Sequence, residues 1–319
     1  MEFISKCTPD TISNAAKAFI DGHLVGFPTE TVYGLGADAT NEKAVSRIYS
    51  VKGRPTNHPL IVHISSINKL EDWATDIPDY AIKLAREFWP GPMTLILPRK
   101  EIAKDYITGG QNNVGLRIPD QPIALALLRK FEELGGHGIA APSANRFGAV
   151  SPTSAEAVFD ELGGFLNPHD LILNGGPCQI GIESTIIDCT GFEPKVLRPG
   201  AVTYEMINSV TGYMEVLTNS LPIIRVPGML KNHYSPKAKV EINSETKPGE
   251  GFIALSSVPT PEGALRLGSP ETTEQFAREI YKLLRMGDSK GLSKISVILP
   301  TNGDLSDAIT DRMTKASAG

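Results

Sequence analysis

The stretch TPDTISNAAKAFIDGHLVGF (residues 8–27) contains the helix-then-strand unit that decides the fold class. Thr8 can cap a helix that has Pro9 at its first position, and Gly22 can end that helix. Its apolar residues share one helical face: Ile12, Ala15, Ala16, Phe19 and Ile20. The short apolar run at 24–27 then predicts a strand.

The same alternation continues along the first two-thirds of the chain. Apolar periodicity predicts helices at 44–51, 80–88, 121–134 and 154–162, and strands at 60–64, 93–97, 114–118, 138–141, 171–174 and 184–188. Such alternation is typical of an α/β domain with a largely buried, mostly parallel or mixed sheet.

A proline-containing stretch with no sustained period follows at 220–239, which predicts an extended connector. The remaining residues form a second, small α/β unit. Its predicted strands are 240–242, 252–257 and 295–299, and its predicted helices lie around 276–284 and 304–317.

Composition excludes several classes of protein. The 319 residues carry 31 Lys+Arg against 36 Asp+Glu, which argues against a surface that binds nucleic acid throughout but leaves room for a local basic cleft. Cys7, Cys178 and Cys189 are far apart, so free buried thiols are expected. No signal-peptide core and no run of ~18 apolar residues occurs, so we expect a cytoplasmic protein without membrane contact.

Common catalytic motifs are missing from the sequence. It contains no P-loop, no H-E-x-x-H and no G-x-S-x-G, and its histidines never sit at metal-ligand spacing, so no protein metal site is predicted. GLGADA (34–39) has dinucleotide-loop spacing, but polar residues 28–33 separate it from the preceding strand. We therefore expect Gly34 and Gly36 to let the backbone turn beside a cavity for a different ligand.

A basic segment, KGRPTNHPLIVHI (52–64), lies where the ribose-binding acid of a dinucleotide fold would be. Lys52, Arg54 and His58 could bind a polyphosphate there, with Arg54 offering two parallel donors. The alternative is a pair of solvated loop charges.

A second polar segment, APSANRFGAVSPTS (141–154), follows a predicted strand and precedes a helix. Loops at the carboxyl ends of sheet strands are where α/β proteins bind ligands. Ser143, Asn145 and Ser151 could contact phosphate, ribose or base, or could serve only as turn and capping residues.

Two polar residues interrupt strands that otherwise resemble core. Arg117 needs a partner, either a protein carboxylate or a ligand anion, and His63 is either a ligand contact or a satisfied core histidine. With cations and few acids apart from Glu30 and Glu183, these segments favour an anion site that works by positioning and charge neutralisation.

The ordered motifs resemble those of the YrdC/Sua5 family. They are FPTETVYGLGADA, KGRPTNHPLIVHI, FWPGPMTLIL, VGLRIPD, APSANRFGAVSPT, GIESTIID, VLRPG and, in the connector, PGMLKNHYSP. The resemblance is dense over residues 8–237 and looser beyond, where FAREIYKLLR and DAITDRM are similar to the Sua5-specific domain.

The resemblance implies a fold and its division into domains. We expect a twisted, mostly parallel or mixed α/β sheet with a large basic cavity over residues 1–208. A linker at 209–238 is expected to close over the site, and a small Rossmann-like C-terminal domain to occupy 239–319.

The resemblance also implies an activity, L-threonylcarbamoyladenylate synthesis from L-threonine, bicarbonate and ATP with Mg²⁺ held mainly by the ATP phosphates. The product would pass to a threonylcarbamoyl transferase that modifies adenosine 37 of tRNA, and direct tRNA binding is left open. The two expected contact sets are, for ATP, Lys52, Arg54, His58, Asn113, Ser143, Asn145, Ser151, Arg198 and Tyr234, and for threonine, Thr31, His63, Arg117 and Ser184. No proton-transfer residue is assigned, since a carbamate nucleophile is already an anion.

Two other functions compete with this one. An RNA-binding module could use the basic cavity, but the acidic balance and the lack of interleaved aromatic and basic residues disfavour it. A carbamoyl-transfer enzyme of the hydrogenase-maturation type would carry extra acylphosphatase and zinc-finger regions, which this sequence lacks.

Overall fold

The structure, a computed structural model, describes residues 3–212, 224–229 and 233–319. Two sheets organise these residues, one of ten strands and one of four. We call the part built on the first sheet the N-terminal domain and the part built on the second the C-terminal domain.

The N-terminal domain alternates helices and strands as the sequence predicts. Its strands are β1 (Ile4–Lys6), β2 (Val25–Phe27), β3 (Gly34–Asp38), β4 (Ile61–His63), β5 (Met93–Pro98), β6 (Asn113–Arg117), β7 (Ile139–Ala140), β8 (Leu171–Asn174), β9 (Thr185–Asp188) and β10 (Lys195–Arg198). Its helices are α1 (Pro9–Ile20), α2 (Glu42–Lys52), α3 (Leu70–Trp73), α4 (Asp79–Phe88), α5 (Asp105–Thr108), α6 (Pro122–Glu133), α7 (Ala155–Leu162) and α8 (Tyr204–Thr211). Short 3₁₀ turns lie at Ile67–Lys69 and Gly163–Phe165.

The ten-stranded sheet is mixed, in the order β1-β8-β2-β3-β7-β4-β6-β5-β9-β10. The parallel pairs are β1–β8, β2–β8, β4–β6 and β5–β9, and the other neighbours are antiparallel. The β4–β6 register sets His63 directly opposite Arg117, which brings two of the predicted site residues side by side.

Helix α1 begins as the sequence predicts. Thr8 accepts a hydrogen bond from the Thr11 backbone at 3.2 Å, and Pro9 occupies the first turn, where a missing N–H costs nothing. Phe19 is buried on the inner face, whereas Ile20 remains 41% exposed. The cap and the apolar stripe therefore suffice to explain this element.

Strand β3 corrects the expectation for the glycine-rich stretch. Gly34 and Gly36 do not turn the chain: they lie in a buried strand, and neither has a positive φ. A Cβ at position 36 would lie 2.8 Å from Ile139 Cγ2 and 2.9 Å from Phe19 Cζ. Gly36 is therefore needed because neighbouring side chains occupy the space over the strand.

The C-terminal domain is a small α/β unit, as expected. It comprises β11 (Lys239–Ile242), β12 (Gly251–Ile253), β13 (Leu265–Gly268), α9 (Thr273–Ser289), β14 (Lys294–Val297) and α10 (Ser306–Ser317). The sheet is parallel throughout, in the order β11-β14-β12-β13. Strand β12 is shorter than the predicted 252–257, and β13 was not predicted.

The two domains meet along α9. Arg285 forms an ion pair with Glu161 at 2.8 Å, and Arg278 Nε donates to the Gln179 carbonyl at 2.7 Å. Gly181 has φ +87°, and a Cβ there would lie 2.4 Å from Arg278 Cα. The N-terminal domain therefore approaches the backbone of α9 at a position that only glycine can fill.

Part of the predicted linker at 209–238 lies outside the described residues, namely 213–223 and 230–232. The described segment 224–229 is held by Gln111, whose side-chain amide donates to the Arg225 carbonyl at 2.9 Å. The Arg225 N–H donates back to Gln111 Oε1 at 2.7 Å. We call this pair of bonds the Gln111 clasp.

Two expectations from composition can be compared with the structure. Cys178 and Cys189 are buried free thiols, and Cys7 is a half-buried free thiol. Within the described ranges, no helix combines the length and apolar character that crossing a membrane requires.

Candidate active site

A cavity lies where β4 and β6 end, between the loop before β3 and the connector. Its free volume is about 50 Å³. The lining residues are Thr29, Thr31, Val32, Tyr33, Gly34, Arg54, Ile61, His63, Arg117, Ala141, Pro142, Ser143, Glu183, Ser184, Arg198, Pro227, Gly228, His233 and Tyr234. The cavity is basic, as predicted, but it is not the large cavity that was expected, because connector residues line one side of it.

Lys52 and Arg54 are buried and hydrogen-bond to backbone carbonyls. Lys52 Nζ donates to the carbonyls of Ser143, at 2.6 Å, and Asn145. Arg54 donates to the Pro59 carbonyl at 2.9 Å. Burial, followed by the charge of Arg54, lowers the pKa of Lys52 well below its usual value. Burial lowers the pKa of Arg54 to about 10.

Arg198, from β10, is the third such cation. It donates to the Ser184 carbonyl at 2.9 Å and 3.0 Å, to the Ser184 hydroxyl at 3.1 Å, and to the Pro227 carbonyl at 3.1 Å. Burial lowers the pKa of Arg198. Ser184 is in turn 2.8 Å from the Thr94 hydroxyl, so its position is fixed by both neighbours.

These three buried cations lack ion pairs. Among the described residues, Lys52, Arg54 and Arg198 form no ion pair with a carboxylate, although they are only 2%, 7% and 4% exposed. Buried charge without an opposite charge is costly, and an anion entering beside it restores the balance. The arrangement therefore suits a multiply charged anion.

Arg117 has a protein partner as well as a place at the cavity. Its Nη2 lies 2.7 Å from Glu30 Oε1, and its Nε donates to the Gly91 carbonyl at 3.3 Å. His63, opposite it, is held neutral because burial and the Arg117 charge lower its pKa to about 3. Thr31 is fully buried nearby, with its hydroxyl 2.8 Å from that of Thr29.

The structure brings together all four residues predicted to contact threonine, since Thr31, His63, Arg117 and Ser184 line the cavity. Their roles stay predictions, because no ligand identifies them. A protein carboxylate was one of the two partners left open for Arg117, and the structure identifies that carboxylate as Glu30. Glu30 could have been suspected as a buried acid within an otherwise apolar and hydroxyl-rich stretch.

The residues predicted to contact ATP divide into two groups. Arg54, Ser143, Arg198 and Tyr234 line the cavity, whereas Lys52, His58, Asn113, Asn145 and Ser151 do not. Asn113 begins β6, four residues and about 13 Å from Arg117 at the other end. Its predicted ATP contact, like the other roles, stays a prediction.

Three of the non-lining residues have defined neighbours. His58 packs its ring 5.2 Å from that of Phe147. Asn145 donates to the Ala149 carbonyl at 2.7 Å, while its buried Oδ1 has no hydrogen-bond partner among the described residues. Ser151 donates to Glu183 at 2.6 Å.

Glu183 lines the cavity, and the sequence reasoning gave it no role. Its carboxylate accepts from Ser151 at 2.6 Å, from Tyr281 at 2.9 Å and from Arg312 at 2.8 Å. Burial alone would raise its pKa, but the charges of Arg312 and Arg198 and these hydrogen bonds lower that pKa to about 2. The signal in the sequence is an acid directly before a buried strand, in GIESTIID.

Tyr234 connects the connector to both domains. It has φ +61°, is 1% exposed and stacks on Tyr281 with ring centres 5.8 Å apart. Burial raises the pKa of the Tyr234 hydroxyl to about 12.

In the described part of the chain, no group of three or more histidine, cysteine or acidic side chains could hold a metal ion.

Family models match nearly the whole chain. The Sua5/YciO/YrdC model, described as "Telomere recombination", matches residues 17–200, and a model described as "Threonylcarbamoyl-AMP synthase, C-terminal domain" matches 202–318. Threonylcarbamoyl-AMP synthase of Pyrococcus abyssi is 40% identical over 95% of this chain and 93% of its own length. The Bacillus subtilis protein of the same name is 46% identical over 72% of this chain and 66% of its own length.

Solved structures agree on the fold. P. abyssi Sua5 complexed with L-threonine has a TM-score of 0.87 and 38% identity, covering 99% of this chain and 96% of that one. Escherichia coli YciO, at 23% identity and a TM-score of 0.53, covers 62% of this chain and 94% of that one and shares the fold of the N-terminal domain. The chain therefore belongs to the Sua5/YciO/YrdC family, in the form that carries the Sua5 C-terminal domain.

Proposed function

We propose that this chain is a threonylcarbamoyl-AMP synthase, which converts L-threonine, bicarbonate and ATP into threonylcarbamoyl-AMP and pyrophosphate. Relatives of that name at 40% and 46% identity support it. The observation that carries it is the group of three buried cations, Lys52, Arg54 and Arg198, that lack carboxylate partners in the described residues. A triphosphate supplies the negative charge that such a group requires.

Threonine is the proposed second substrate. Arg117, His63, Thr31 and Ser184 offer one cation, one neutral imidazole and two hydroxyls at the same cavity. These groups suit a carboxylate, an amine and a hydroxyl, which are the polar groups of threonine. The likeness to the P. abyssi protein complexed with L-threonine supports this choice.

The proposed chemistry has two steps. The threonine amine attacks the carbon of bicarbonate, a C–N bond forms and water leaves, which gives a carbamate. A carbamate oxygen then attacks the α-phosphorus of ATP, and the bond to the β-phosphate oxygen breaks to release pyrophosphate. The buried cations would hold the polyphosphate and offset its charge, which is the main requirement of phosphoryl-type transfer.

Magnesium is proposed to enter with ATP, coordinated mainly by phosphate oxygens and water. Glu183 is the carboxylate among the described lining residues, and it already accepts three hydrogen bonds. The donor set therefore fits a metal carried by the substrate, which would offset phosphate charge.

The physiological role is proposed to be supply of the threonylcarbamoyl group for adenosine 37 of tRNA, in the cytoplasm, with transfer by a separate enzyme. The connector is proposed to close the cavity during the reaction, since Pro227, Gly228, His233 and Tyr234 line it. The RNA-binding alternative is not retained, because the relatives that match most of this chain are named threonylcarbamoyl-AMP synthase.

The test is pyrophosphate release by the purified chain. We expect release that requires threonine, bicarbonate and ATP together, with a product of the mass of threonylcarbamoyl-AMP. Omission of each substrate in turn is the control. Release that is indifferent to threonine, or release with ATP alone, would refute the proposal.

A further inference from the structure

The C-terminal domain reaches the candidate site through two buried side chains. Arg312 from α10 and Tyr281 from α9 are both 0% exposed, and both donate to Glu183 Oε2, at 2.8 Å and 2.9 Å. Glu183 belongs to the N-terminal domain and lines the cavity. The C-terminal domain therefore holds one of the residues that line the cavity.

Arg312 also holds the segments around Glu183. Its Nη2 donates to the Pro199 carbonyl at 3.0 Å and to the Glu183 carbonyl at 3.3 Å. Its Nη1 donates to Asp311 at 2.5 Å, and its guanidinium carbon lies 5.5 Å from the centre of the Tyr234 ring. One side chain thus contacts the segment before β9, the segment after β10 and the connector.

The remaining oxygen of Glu183 determines how Ser151 is presented. Glu183 Oε1 accepts from the Ser151 hydroxyl at 2.6 Å. An ionised carboxylate can only accept, so the Ser151 proton points at Glu183 and its lone pairs point away from it. Ser151 is therefore set as a hydrogen-bond acceptor on the side away from Glu183. It is fully buried beside the cavity lining, and its contact with ATP is part of the proposed function.

We propose that the C-terminal domain completes the ATP site, with Arg312 and Tyr281 as positioning residues that hold Glu183 and, through it, Ser151. This inference rests on the proposed function. It assigns the C-terminal domain a role in nucleotide affinity instead of a separate binding activity.

The ionisation of Glu183 gives a pH dependence of KM for ATP, which partial unfolding of a variant would not produce. The groups that interact with it are Ser151, Arg198, His233, Tyr234, Tyr281 and Arg312, and Asp311 contacts Arg312. Replacing Arg312 with glutamine removes its nearest cation, so burial raises the pKa of Glu183. A protonated Glu183 no longer fixes the Ser151 proton, so KM for ATP in the variant should rise as pH falls from about 8 to about 6. His233 stays neutral over that window because burial lowers its pKa to about 3.

The experiment measures KM and kcat for ATP and threonine in four variants of the full chain. Tyr281→Phe keeps the ring and loses one hydrogen bond, so KM for ATP should rise roughly three- to tenfold with little change in kcat. Arg312→Gln should raise it further and add the pH dependence, and Arg312→Lys should remove that pH dependence by restoring a cation. Lys282→Gln, an exposed position on α9, is the matched control and should resemble the unmodified chain.

The outcomes separate the two proposals. If the unmodified chain releases no threonine-dependent pyrophosphate, the proposed function fails. If it does, and Tyr281→Phe and Arg312→Gln fold but leave KM for ATP unchanged, the positioning role is wrong. A fall in kcat that only follows the lost folded fraction, with no pH dependence of KM, also overturns it. If Arg312→Gln does not fold, Tyr281→Phe decides the matter.

Discussion

Variants of Arg117 can distinguish an effect on threonine binding from an effect on the stability of the fold. Because its guanidinium is 2.7 Å from the buried Glu30 carboxylate, Arg117→Gln leaves that carboxylate without a cation. Breaking a buried pair in this way costs about 3–5 kcal/mol of unfolding free energy. The double variant Arg117→Gln with Glu30→Gln removes both charges, so we expect it to recover most of that stability.

Threonine affinity should not recover in the double variant. If Arg117 binds the threonine carboxylate, loss of a charged hydrogen bond worth about 1.5–3 kcal/mol raises KM for threonine roughly 10- to 150-fold. Urea unfolding reports the stability of each variant, and pyrophosphate release over a threonine titration reports KM. A double variant with unchanged KM for threonine would refute the carboxylate contact. An Arg117→Gln variant as stable as the unmodified chain would refute the buried pair.

Three further predictions concern other parts of the structure. Gly36→Ala should lower the unfolding free energy by about 1–3 kcal/mol in urea, because its Cβ would lie 2.8 Å from Ile139; an unchanged midpoint contradicts this. The pKa of Glu183 is lowered to about 2, so its ionisation stabilises the fold above pH 4.5, and this part is lost as pH falls from 4.5 to about 2. Acid unfolding of Glu183→Gln should lack that component, and an identical acid profile would argue against it. Gln111→Ala removes the clasp on Arg225, so trypsin should cut after Arg225 faster; equal cleavage rates would count against the clasp.

The elements of the fold were predictable where local chemistry decides them. Helix α1 follows from Thr8, Pro9 and an apolar stripe, all within one stretch of sequence. Strand β3 was not predicted, because two glycines in a polar setting resemble a turn. Their reason lies in Phe19 and Ile139, side chains distant in sequence that pack over Gly36.

The candidate site also contains residues that the sequence could identify and partners that it could not. Cations at positions 52, 54 and 117 stand out from their neighbours in the sequence, so they could be named as candidates, and Arg54 and Arg117 do line the cavity. Their partners could not be named, because the contacts are long-range: Glu30 is 87 residues from Arg117, and Arg312 is 129 residues from Glu183. No local pattern records such a distance, and only the folded chain makes these pairs visible.

The close approach of Gly181 to α9 bears on how this protein can be altered by recombination. Position 181 tolerates no side chain because the backbone of Arg278 lies against it. An exchange of C-terminal domains between homologous genes must therefore preserve the path of α9 to within a fraction of an ångström. We therefore expect a hybrid gene to need compensating changes on both sides of this contact.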